Sequence, residues 1–219
     1  DEWAALSHQK AAAAAAAGAF DDEIATVAVP QRKGEPIIVR ADEGIRPDST
    51  AAALGNLRPA FAKDGTITAG NASQISNGAA ALVVADRAAA EAAGMPILAE
   101  IVAYGQIAGP DATLHERPAQ AIEQALAKAG LSAGDLDLVE MNEAFAAVAL
   151  WSARLLGIPT EKVNVHGGAV ALGHPLGATG ARIVVTLINA LRRTGGHLGA
   201  AALCGGGGQG DALIVRLAS

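Results

Sequence analysis

From Ile97 to Leu217 the chain alternates short apolar runs with longer helical stretches, and this alternation restricts the possible folds more than any other feature. The runs are Ile97 to Ile107, Leu136 to Glu140, Leu198 to Cys204 and Ala212 to Leu217. Between them lie Pro118 to Ala129, closed by Gly130, then Glu143 to Gly157, and Ala178 to Thr194. Strands alternating with helices predict an α/β protein built from βαβ units, with a largely parallel sheet. Upstream, residues 1 to about 17 read as a helix stopped by Gly18, and its run Ala11 to Ala17 is a buried face more readily than low complexity. Ile24 to Val29, Ile37 to Arg40 and Ala79 to Ala85 are strand candidates. Asp48-Ser49-Thr50 opens a short helix through Leu57, and Asp86 to Gly94 forms another.

Hydrophobic residues make up 51% of the 219, but aromatics only 3%, so the core must be built from Ala, Val, Leu and Ile. Small side chains of this kind favour helices lying close on a sheet. The net charge of −6 and the absence of a basic cluster argue against nucleic acid as a partner. A polyanionic ligand would need a local basic patch. The only cysteine, Cys204, excludes an internal disulfide and fits a reducing, cytoplasmic setting. No run reaches the roughly 18 apolar residues of a membrane helix, and no signal peptide opens the chain. The opening Asp1-Glu2-Trp3 already has helical periodicity and lacks an initiator methionine, which reads as a fragment.

Three polar stations interrupt the alternation, each at or beyond the end of an expected strand, where open α/β sheets assemble their sites. Asn142 stands in Val139-Glu140-Met141-Asn142-Glu143-Ala144-Phe145. His174 stands in a loop with Gly167, Gly168, Gly173 and Gly177, ahead of a helix whose first N–H groups would point toward a bound ligand. Cys204 precedes four glycines, Gly205 to Gly208. Each alone has a plain alternative: Asn142 as the N-cap of a helix from Glu143, His174 as a satisfied loop histidine, Cys204 as a small buried hydrophobe. The polar loop Thr66 to Gly78 is a strand connection or a ligand-binding segment.

Taken together, Asn142-Glu143-Ala144-Phe145, Gly167-Gly168-Ala169-Val170-Ala171-Leu172-Gly173-His174-Pro175 and Cys204-Gly205-Gly206-Gly207-Gly208-Gln209-Gly210 resemble the three C-terminal motifs of the thiolase family, in order and at its spacing. The resemblance covers the whole chain. It implies a thiolase-like α/β fold: a mixed five-stranded sheet with helices on both faces, plus part of an inserted loop domain. Residues 1–75 would be the later part of that loop domain, 76–97 the last strand and helix of the N-terminal domain, and 98–219 the C-terminal domain. The family's acyl-carrying cysteine would lie in a first half absent here, so the 219 residues alone are expected to be inactive.

The activity implied is Claisen condensation of two acetyl-CoA into acetoacetyl-CoA and CoA, reversible, through an acyl-cysteine. A degradative 3-ketoacyl-CoA thiolase and a non-catalytic acyl-CoA-binding protein are the alternatives. By resemblance His174 activates the nucleophilic cysteine and Cys204 shuttles the α-proton. Asn142 would hold a water that forms an oxyanion hole with His174, and the Gly206 amide would donate to a second. The glycine run offers amides expected to favour the Cys204 thiolate. Ser73 would meet the pantetheine arm of coenzyme A, Arg46 the nucleotide, and Leu57, Phe61, Ala69, Leu114 and Phe145 the tunnel wall. Each of those apolar residues reads equally as core. His166 departs from the asparagine expected there, and His8, His115 and His197 have no metal-ligand spacing, so neither metal nor cofactor beyond the thioester is expected. A homodimer or homotetramer is the expected assembly.

Overall fold

The computed structural model describes residues 1–218. Its helices are α1 (Glu2–Ala16), α2 (Ala51–Leu54), α3 (Arg87–Ala92), α4 (Arg117–Ala129), α5 (Ala146–Leu156), α6 (Ala169–Leu172) and α7 (Thr179–Thr194). Its strands are β1 (Val27–Val29), β2 (Ile37–Val39), β3 (Ala99–Ala108), β4 (Leu138–Met141), β5 (Leu198–Gly205) and β6 (Gln209–Leu217). β1 and β2 form an exposed antiparallel ribbon. The other four strands form one sheet in the order β3-β6-β5-β4.

That sheet is mixed rather than largely parallel. Only β4 and β5 run parallel; β6 is antiparallel to both its neighbours. The reason is the connection Gly206-Gly207-Gly208, which suits a hairpin, whereas parallel neighbours need a crossover of roughly a dozen residues or more. The expected fifth strand is represented among the described residues by a single parallel bridge, Val163 beside Val139. Asn164 then turns away at φ 46° and substitutes its side chain for a strand: Oδ1 accepts from the Met141 N–H, and Nδ2 donates to the Met141 carbonyl.

Helices cover both faces. On one, α4, α5 and the start of α1 pack through Ile122, Leu126, Ala149 and Trp3 onto Val139, Met141, Ala200 and Ile214. On the other, α7 lays Ile183, Leu187 and Leu191 over Leu138, Ala201 and Val215. The small-residue core lets α4 come very close to β3. A Cβ on Gly105 would overlap the Ala121 carbonyl, which is backbone and cannot swing aside. Gly105→Ala should therefore lower the unfolding free energy by about 1–3 kcal/mol or more. An unchanged denaturant midpoint would contradict this packing.

Two expected elements differ. Residues 79–85 have no regular secondary structure and belong to no sheet, and Val83 and Val84 are 80% and 73% exposed. An apolar run becomes a strand only where another backbone answers its N–H and C=O groups, and no described strand of this chain lies alongside. Helix α5 begins at Ala146, with Phe145 rather than Asn142 as its N-cap. The capping alternative for Asn142 is thereby removed.

Candidate active site

The parallel pair β4 and β5 fixes the centre of the site. Met141 pairs with Ala202, and the Asn142 N–H donates to the Ala202 carbonyl at 2.9 Å, so Asn142 leaves the end of β4 with its backbone still tied to β5. Cys204 lies two positions beyond Ala202, at the same end of the sheet, paired with Gly210. The glycine loop then returns His174 to this edge, where its Nε2 stands 3.2 Å from Asn142 Nδ2. Asn142 is fully buried, and its Oδ1 has no protein partner. The three stations thus share one edge, and two of them touch.

His174 is held from several directions. Its Nδ1 lies 2.7 Å from the hydroxyl of Thr179 at the start of α7. Its backbone N–H donates to the Gln74 carbonyl at 3.1 Å, and Gln74 Nε2 donates to the carbonyls of Gly44, Val170 and Ala171. Gly173 has φ 92°, and a side chain there would strike Ser76. Burial, with Arg182 as a second cause, pushes the imidazole below its ordinary range, so it is neutral near pH 7. The helix amides do less than expected. Both Ala178 and Thr179 donate to the Pro175 carbonyl, at 2.8 and 3.0 Å, and are not free for a ligand.

Cys204 departs from expectation more clearly. Burial pushes its thiol up, opposed only by its own backbone amide, so the glycine run does not favour the thiolate. The run packs on other backbone instead. The Gly109 N–H donates to Gly208 O at 2.8 Å, and a Cβ on Gly208 would overlap the Asp111 carbonyl. Gly206 is exposed at the turn, with nothing within 4 Å of where its side chain would begin.

Glu143 was legible only as a motif letter, yet it is the most heavily bonded buried carboxylate near the site. It is fully buried and accepts four hydrogen bonds: from Trp3 Nε1 (2.9 Å), Ser7 Oγ (2.7 Å), Asn164 Nδ2 (2.9 Å) and the Val170 N–H (3.0 Å). Ser7 in turn accepts from the Gly168 N–H at 2.9 Å. A Cβ on Gly168 would collide with this carboxylate, so glycine is required for the approach. Glu143 therefore clamps α1 to the loop that carries His174. A charge placed next to a buried strand was the available sequence signal; the corresponding signal for Thr179 was a hydroxyl at a helix start five residues after a loop histidine.

Three of the seven expected ligand-lining residues, Ser73, Phe61 and Phe145, form a second cluster beside this edge. The Ser73 N–H donates to Ala144 O at 3.1 Å, Ala72 bridges Phe145, and the rings of Phe61 and Phe145 meet edge to face at 5.9 Å. Phe61 is 75% exposed, which overturns a core reading for it. Ala69 is also exposed, and Leu57 packs against Gly70 with Leu54. No hydrogen bond or ring contact among the described residues ties Arg46 or Leu114 to this cluster. Arg46 is exposed, with its N–H donating to His8 Nδ1 at 3.1 Å. Leu114 belongs to the β3–α4 loop, beside a groove of about 470 Å³ lined by His115, Leu150, Trp151 and Arg154, but not by His174, Asn142 or Cys204. His166 lies edge-on to Phe20 at 5.9 Å, its Nδ1 buried without a partner.

Comparison with known proteins places this α/β architecture in one family. Residues 1–88 match the model of the thiolase N-terminal domain and residues 95–217 that of the thiolase C-terminal domain. The chain belongs to the thiolase family. It is 57% identical over 216 residues to a probable acetyl-CoA acetyltransferase of Mycolicibacterium smegmatis, covering 99% of this chain and 56% of that protein. It is 52% identical to the acetyl-CoA acetyltransferase of Escherichia coli, covering 99% and 55%. Among solved structures, the Bacillus anthracis acetyl-CoA acetyltransferase superposes with a TM-score of 0.94 at 44% identity, covering 99% of this chain and 56% of that one. Human mitochondrial 3-ketoacyl-CoA thiolase in complex with CoA does so at 0.90 and 40%, covering 100% and 54%. The chain spans about half the length of the relatives it matches.

Proposed function

We propose that this chain serves as the C-terminal part of an acetyl-CoA acetyltransferase, condensing two acetyl-CoA into acetoacetyl-CoA and CoA through an acyl-cysteine carried by the other half of the protein. The observation that carries this reading is the contact of a neutral imidazole with a buried carboxamide at the strand end that also bears the thiol. His174 takes the proton of the acyl-carrying cysteine. Cys204 removes the α-proton of the second acetyl thioester, and Asn142, through a water on its unpartnered Oδ1, stabilises the enolate oxygen with His174. Gly206 donates its amide to the other thioester oxygen. Ser73, Phe61 and Phe145 hold the pantetheine arm, Leu57, Ala69 and Leu114 extend its wall, and Arg46 meets the nucleotide phosphates. The enzyme works in the cytoplasm as a homodimer or homotetramer.

Cys204→Ala in the full-length protein should lower kcat by about 10²- to 10⁴-fold, the usual contribution of a general acid or base. Retained turnover would overturn the assignment. The 219 residues alone should show none, since their one cysteine occupies the proton-shuttle position.

The second reading is a degradative 3-ketoacyl-CoA thiolase, supported by the likeness to the human mitochondrial 3-ketoacyl-CoA thiolase at a TM-score of 0.90. Rates on acetoacetyl-CoA against longer 3-ketoacyl-CoA decide between them. Preference for the longer chains would support the 3-ketoacyl-CoA thiolase.

A further inference from the structure

Thr179 is fully buried at the first turn of α7, and its hydroxyl meets two partners at once: the Pro175 carbonyl at 3.0 Å and His174 Nδ1 at 2.7 Å. A hydroxyl has one hydrogen and two lone pairs. A carbonyl can only accept, so the bond to Pro175, whose oxygen also takes the Ala178 and Thr179 N–H groups, directs that hydrogen away from the ring. Toward the imidazole Thr179 is then an acceptor, and Nδ1 must carry the proton. The opposite side of the ring agrees. The Asn142 amide presents Nδ2, a donor, to Nε2 at 3.2 Å, and a donor requires a lone pair on that nitrogen. The backbones of both residues are anchored independently of the ring, that of Thr179 by its N–H to Pro175 O and that of Asn142 by its N–H to Ala202 O.

We propose that Thr179 is a positioning residue that fixes His174 as the Nδ1–H tautomer, leaving the Nε2 lone pair turned to the Asn142 side of the site. This rests on the reading of His174 as the base that takes the cysteine proton. A base needs its lone pair on the nitrogen at the reacting edge, where the Asn142 N–H holds it until the cysteine proton takes that bond's place, and a free imidazole divides itself between two tautomers. Thr179 removes that division through a short charge-free relay, Nδ1–H to Oγ and O–H to carbonyl. The charged groups facing this part of α7 are Arg182, Glu140, Glu23 and Asp42, and none of them bonds to either ring nitrogen.

The test is nitrogen NMR of ¹⁵N-histidine-labelled full-length protein, with the His174 signals assigned by their loss in His174→Asn. The wild type should show a pyrrole-type Nδ1 and a pyridine-type Nε2. Thr179→Val, which keeps the shape but can neither accept nor donate, should yield a mixture of tautomers and lower kcat about tenfold with KM changed less than twofold. Thr179→Ser should restore both. A wild-type Nε2–H, or a single unchanged tautomer in the folded Thr179→Val protein, would overturn the proposal. A tautomer shift with unaltered turnover would uphold the positioning role and count instead against His174 as the base, so the two failures are distinct.

Discussion

Glu143→Ala should reduce the unfolding free energy by about 3–5 kcal/mol, the range found when one member of a buried charged network is removed. The substitution leaves Trp3 Nε1, the Ser7 hydroxyl, the Val170 N–H and one of the two Asn164 Nδ2 hydrogens in a dry interior without an acceptor, the other Nδ2 hydrogen still donating to the Met141 carbonyl. Each orphaned buried donor costs about 1–3 kcal/mol, less whatever relaxation or entering water recovers. Glu143→Gln keeps the volume and one carbonyl, and Ser7 can turn to accept from the new amide, so its loss should be smaller. Because the network joins α1 to the segment leading to His174, the alanine variant should also lose activity before it loses its fold. Chemical denaturation of both variants checks the order. An alanine variant within about 0.5 kcal/mol of wild type, the range of ordinary surface changes, would show that the clamp is dispensable.

Glu140 produces the second large effect, and it runs against the usual behaviour of carboxylates. Fully buried on β4, it has a single ionic partner, Arg182 Nη1 at 3.5 Å, and an Oε1 with no partner. Burial pushes its pKa up from 4.5 to about 8; Arg182 opposes the shift, and Glu143 and Glu23 add to it. Between those two values the folded protein binds a proton that the unfolded chain has released. Stability is therefore fully present below about pH 4.5 and is lost as pH rises toward 8, at up to about 1.4 kcal/mol per unit. Glu140→Gln mimics the protonated acid at every pH. The difference between variant and wild type should be small near pH 5 and should grow in the variant's favour toward pH 8. A constant difference across that range would mean that Glu140 is ionised throughout.

Much of this was readable beforehand. Helix ends at Gly130 and Gly157 follow from local backbone preference, since both residues adopt the left-handed C-cap. That Asn142 and His174 belong to one site was implied by the resemblance to the thiolase motifs. Three things were not readable. The run Ala79 to Ala85 has the composition of a strand but no partner strand among the described residues. The glycines after Cys204 suggested amides turned toward sulfur, whereas their turn is packed against Gly109 and Asp111. Of the helix-opening amides, those of Ala178 and Thr179 are consumed by Pro175.

The sequence by itself determined most of the helices and the four strands of the main sheet, where glycine ends several helices, and which three polar side chains stand at or beyond strand ends, because those outcomes depend on neighbours a few residues away. Only the tertiary structure decided what each polar atom meets. Trp3 and Glu143, Gln74 and Ala171, and Asn142 and His174 are distant along the chain, and such bonds form only after the sheet and its helices have excluded water. The same burial sets the protonation of His174, Glu140 and Cys204, because the cost of a charge depends on what has closed around it, not on which residues precede it.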